Sequence, residues 1–81
     1  EAFPNPFNPE VKIPFETSIG QFVNISVFDI NGKLVKNLSN KYWSPGEHSI
    51  KFSDNRLTSG IYFVTFFHKK GHETKKITLL K

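Results

Sequence analysis

The stretch from Gly60 to Leu80 constrains this chain most, because its pattern fits a long β-hairpin and little else. Its first arm, Gly60-Ile61-Tyr62-Phe63-Val64-Thr65-Phe66-Phe67-His68, is almost wholly β-branched or aromatic. Those side chains suit a pleated, half-buried surface. Lys69-Lys70-Gly71 supplies the reversal, with glycine free to take the positive φ of a tight turn. The second arm, His72 to Leu80, is wet near the turn and apolar only at its end. An arm apolar on both faces belongs in the middle of a sheet, so the other strands should pack on or beside Ile61 to Phe67.

The rest of the chain supplies them. Val11, Ile13 and Phe15 alternate with Lys12, Pro14 and Glu16, which marks a strand with one dry face. Pro14 lacks an N–H, so that strand should lie at a sheet edge or carry a bulge. Thr17 to Gly20 turns the chain. Phe22 to Phe28 follows, with Val23, Ile25 and Val27 inward and Asn24, Ser26 and Phe28 outward. Asp29-Ile30-Asn31-Gly32 then reverses direction. Asn-Gly alone would make a two-residue hairpin with Phe28 opposite Val35. Asp first and Gly fourth favour a type I turn with a glycine bulge, which sets Val27 opposite Val35 and joins Val35 to the dry face. The next strand should run from Lys33 to Leu38.

Ser39 to Gly46 reads as a polar loop carrying Tyr42 and Trp43. His48, Ile50 and Phe52 alternate as a further strand, and Leu57 stands alone in a crossing loop. The result is six or seven short strands at roughly ten-residue spacing, without a helical period, as in an antiparallel sandwich. Leu57-x-x-Gly60-x-Tyr62-x-Val64 resembles the tyrosine corner of immunoglobulin-like domains. By that analogy Tyr62, Val64 and Phe66 point into the core, while Ile61, Phe63 and Phe67 form a candidate contact face. A one-residue slip would exchange the two sets.

Eighty-one residues suffice for one small domain, residues 1–81, burying about 60% of its unfolded surface. Without cysteine there is neither a disulfide nor a thiolate metal site, so nine phenylalanines are expected to do most of the packing. The first residue is not methionine, which suggests a piece of a longer protein. No apolar run approaches the roughly 20 residues of a membrane-spanning helix. Eleven Lys+Arg outnumber seven Asp+Glu. Yet Arg56 is the one arginine and no aromatic platform lies among the lysines, so a solvated basic face is favoured over nucleic-acid binding.

Little here suggests chemistry. His68 and His72 flank the hairpin turn and could face each other, but two ligands without a third make a poor zinc site. No Ser/His/Asp spacing, close carboxylate pair or glycine-rich phosphate loop occurs, so neither catalysis nor a cofactor or metal is expected. Tyr42 and Trp43 could form a sugar-stacking pair, although a loop tryptophan more often caps a core.

Glu1 to Pro9 contains Phe3-Pro4-Asn5-Pro6-Phe7-Asn8-Pro9. Its prolines force an extended arm, and Phe3 and Phe7 are more than a spacer needs. That stretch also resembles the opening of the C-terminal sorting domain of the type IX secretion system. Ile25-Ser26-Val27-Phe28-Asp29-Ile30-Asn31-Gly32-Lys33-Leu34-Val35 resembles the family's middle motif. Leu57-Thr58-Ser59-Gly60-Ile61-Tyr62-Phe63 is similar to its third, and Lys75-Lys76-Ile77-Thr78-Leu79-Leu80-Lys81 to its closing one. Together these motifs cover essentially the whole chain in the family's order, and Pro14 and the short loop at Lys69-Lys70-Gly71 depart from its pattern.

The resemblance implies an immunoglobulin-like sandwich at the C-terminus of a larger exported protein. Its cargo domains would precede it, and it would direct them across the outer membrane of a Gram-negative bacterium to the cell surface or medium. Partners would be the outer-membrane secretion machinery and a sortase that removes the domain. The implied recognition residues are Pro4, Asn5, Pro6, Phe7, Asn8, Pro9, Asp29, Gly32, Gly60, Tyr62, Lys76, Ile77, Leu79, Leu80 and Lys81. An exposed terminal strand could add to a receptor sheet, or Ile77 and Leu79 could simply close the core. Two other readings stand beside it: a carbohydrate-binding or adhesion module using Tyr42, Trp43 and His48, and an assembly domain like that of hook-capping proteins.

Overall fold

A computed structural model describes residues 10–54 and 56–80. The proline-rich arm at residues 1–9, with its site residues Pro4 to Pro9, lies outside them, as does Lys81. Six strands follow one another: β1 (Glu10–Thr17), β2 (Gln21–Phe28), β3 (Leu34–Trp43), β4 (Gly46–Ser53), β5 (Gly60–His68) and β6 (Gly71–Leu79). A four-stranded antiparallel sheet runs β3-β2-β5-β6, and β1 pairs with β4 in a second sheet. The described residues thus hold six strands where six or seven were expected.

The apolar-on-both-faces arm, β5, is interior as its composition requires, between β2 and β6. Tyr62, Val64 and Phe66 point inward, with Val23, Ile25 and Val27 beside them and Leu79 on β6. Ile13, Phe15 and Phe52 come from the small sheet to close this core. The Tyr62 hydroxyl donates to the Thr58 carbonyl at 2.8 Å, completing the tyrosine corner where β5 begins. With that corner, β2, β5 and β6 adjacent, and β1 paired with β4, the arrangement is an immunoglobulin-like sandwich.

Pro14 fits because its strand is an edge. Its carbonyl accepts the Lys75 ammonium at 2.6 Å from across the sandwich, so this residue's backbone faces away from β4. Thr17 closes the β1–β2 turn, donating to the Ile19 carbonyl and accepting from Gln21.

Three expectations need correcting. The turn after β2 is the type I turn with a glycine bulge: Gly32 N–H donates to the Asp29 carbonyl, and Gly32 sits at φ 81°. But Val27 faces Lys36, not Val35, because β3 carries a bulge there and a second between the pairs Ile25–Ser39 and Ser26–Asn37. The bulges turn Val35 and Leu38, three residues apart, toward the same core, which an unbroken period of two forbids. Second, β3 continues through Tyr42 and Trp43, so the polar loop shrinks to Ser44 and Pro45. Third, the phenylalanines do not do most of the packing, because Ile13, Val23, Ile25, Val27, Tyr62, Val64 and Leu79 supply the larger part of the buried core. Phe15, Phe52 and Phe66 are buried, whereas Phe22, Phe28, Phe63 and Phe67 share the outer face of the large sheet.

Candidate functional site

Folding brings the middle, third and closing motifs to one end of the sandwich. Asp29 begins the turn between β2 and β3, where its Oδ1 accepts from the N–H groups of Asn31 and Lys33, each at 2.9 Å. This Asx-type cap is why aspartate opens the turn. Across the same end, Leu57 to Tyr62 lead into β5. The two segments line one shallow cleft of about 370 Å³, with Asp29, Ile30 and Val35 on one side and Leu57, Thr58 and Tyr62 on the other.

The closing motif joins them by strand pairing: Gly60 faces Leu79, Ile61 faces Thr78, Tyr62 faces Ile77 and Phe63 faces Lys76. Leu79 is fully buried and Ile77 half-buried against the core. Lys76, Thr78 and Leu80 are exposed. Alternate residues of one strand therefore close the core and face solvent, so both readings of the terminal strand have residues available to them. The outer edge of β6 has no neighbouring strand among the described residues.

Beside the cleft, which Arg56 also lines, is a clasp that sequence reasoning passed over. Asp54, nearly buried, accepts from the Arg56 backbone N–H and Nε at 3.0 Å each, and from Nη2 at 2.9 Å. The hydrogen bonds from the Arg56 side chain and backbone hold the Asp54 carboxyl well below the usual carboxylate range. An Asp two residues before the chain's one arginine, at a strand end, was the available signal.

The sugar-stacking pair does not assemble as a pair. Tyr42 and Trp43 are neighbours on one strand and so face opposite ways. Trp43 packs against the core, edge-on to Phe15 at 5.0 Å and to His48 at 5.0 Å, while Tyr42 stands on the outer face. The histidines do not face each other either. His72 lies opposite Phe67 and His68 opposite Gly71, which puts them on opposite faces of the sheet. Among the described residues no group of three or more His, Cys, Asp or Glu could hold a metal ion. No helix among them is long and apolar enough to cross a membrane.

The described residues thus form a small immunoglobulin-like sandwich whose middle, third and closing motifs converge on one end. The family model of the secretion system C-terminal sorting domain matches residues 1–80, and the chain belongs to that family. Such type IX signals engage the type IX secretion machinery and send their carriers to the cell surface or extracellular space, and the family is in general non-catalytic. No curated protein and no solved structure matches the chain.

Proposed function

We propose that residues 1–81 act as one non-catalytic export tag, read chiefly at the β6 edge and the adjoining cleft. The cargo domains precede it in the same chain, and a sortase removes the tag after translocation. The observation that carries this reading is the asymmetry of the two edges of the large sheet. β3 has two bulges, a common way to spoil an edge against unwanted pairing. β6 pairs with β5 without a register shift from Gly71 to Leu79, and its far edge has no neighbouring strand among the described residues. A receptor strand can add to such an edge through main-chain hydrogen bonds, with the exposed Lys76, Thr78 and Leu80 supplying specificity.

The test is a reporter protein carrying residues 1–81 at its C-terminus in a host with the type IX machinery. It should reach the medium or cell surface, and removing residues 76–81 should hold it in the periplasm. That deletion also removes Leu79 from the core. The paired change Lys76→Glu with Leu80→Asp, which touches only exposed positions, therefore accompanies it. Export unchanged by the paired substitution sinks the idea that β6 is what the machinery reads.

A further inference from the structure

The outer face of the large sheet holds a second feature, at the end opposite the cleft. Phe22 and Tyr42 lie directly across from each other on β2 and β3, and Phe67 enters from β5. With Ile19, Lys69 and Lys70 they line a groove of about 660 Å³. Phe22 is 66% exposed, Tyr42 57%, Ile19 50% and Phe67 40%, so this apolar surface is left to solvent. Concave surfaces lined by aromatic side chains with a few polar groups are where proteins usually take ligands.

Its shape is built. A Cβ added at Gly20 would lie 1.8 Å from the Tyr42 hydroxyl oxygen, so Tyr42 lies where only glycine leaves room for it. The charge is one-sided as well. Lys69 and Lys70 are among its lining residues, no carboxylate lines it, and neither lysine has an ion pair among the described residues.

We propose that this groove binds an acidic protein segment carrying a large apolar side chain. The aromatic walls take the side chain, and Lys69 and Lys70 take the flanking carboxylates. The polar groups present disfavour a sugar. The Asn24 amide oxygen is already occupied by Ser26 and Asn37, and the Gln21 amide nitrogen donates to Thr17, so part of the polar lining is committed within the protein rather than open to a ring of hydroxyls. A membrane surface would meet a protruding apolar tip rather than a depression with its rings on the walls. This site is separate from the β6 edge, and its occupancy does not depend on the export reading.

The experiment uses residues 1–81 and a fluorescein-labelled peptide, Asp-Glu-Phe-Leu-Asp-Glu, beside a control in which lysines replace the acids. The acidic peptide should bind at least tenfold more tightly. Its amide shift changes in NMR should cluster at Phe22, Tyr42, Phe67, Lys69 and Lys70. Lys69→Glu with Lys70→Glu should abolish that preference with the fold intact, and Gly20→Ala should weaken binding by displacing Tyr42. Equal binding of both peptides, or shifts that map elsewhere, overturns the proposal. So does Tyr42-dependent binding to phosphatidylglycerol vesicles or to alginate that exceeds binding to the peptide.

Discussion

Leu79 and Leu80 are consecutive residues of one type, and the structure assigns them opposite work. Leu79 is fully buried at the end of β6, facing Gly60 within the core, whereas Leu80 is 74% exposed. Truncating a fully buried leucine to alanine removes its transfer free energy and leaves a cavity, at a cost of about 2–5 kcal/mol. A domain of this length has a total stability on the order of 4–12 kcal/mol at typical values per residue. Leu79→Ala should therefore take a large share of it, lowering the thermal midpoint by more than about 10 °C at roughly 4–8 °C per kcal/mol. Leu80→Ala should change stability by no more than about 0.5 kcal/mol, a shift of under about 4 °C. Thermal and urea unfolding followed by circular dichroism measures both, and the same pair in the export reporter separates folding from recognition. Leu80→Ala should then impair export while leaving stability alone. If Leu80→Ala destabilises as much as Leu79→Ala, β6 sits one residue out of register, and the assignment of its core and solvent faces is wrong.

Tyr62→Phe keeps the ring and loses the bond to the Thr58 carbonyl, so it should cost about 1 kcal/mol in urea unfolding; an unchanged midpoint would mean that the corner contributes nothing. Gly32→Ala meets no atom within 4 Å, so its expected penalty of about 1–2 kcal/mol comes from the positive φ alone, and a neutral result in the same assay would count against that turn geometry. Because the folded-state pKa of Asp54 is depressed, its contribution to stability is complete above its ordinary value near 3.8 and is lost as pH falls through the folded value. Stability measured from pH 5 down to pH 2 should therefore fall more steeply for the native protein than for Asp54→Asn. Parallel curves would refute the clasp.

Much of the architecture was legible from one-dimensional patterns. The β-branched and aromatic run at Ile61–Phe67 had to lie inside a sheet, and the likeness of Leu57 to Val64 to a tyrosine corner pointed to its inward face, while the pairing with β6 decided the register. Asp29 and Gly32 prescribed their turn because only certain side chains cap it and only glycine takes its last position readily. The convergence of the middle, third and closing motifs followed from strand pairing and needed the fold to be seen.

The sequence by itself determined most of the strands, the turn chemistry and the family, since these depend on neighbouring residues and on the order of motifs along the chain, but it ended β3 five residues early. Tertiary structure alone decided the bulges in β3, because Val35 and Leu38 can reach one core only if the backbone gives up its regular period. It also decided the separation of Tyr42 from Trp43. Both residues promise contact in a list of residue types, but a strand sends neighbours to opposite faces, so one helps close the core and the other lines an open groove.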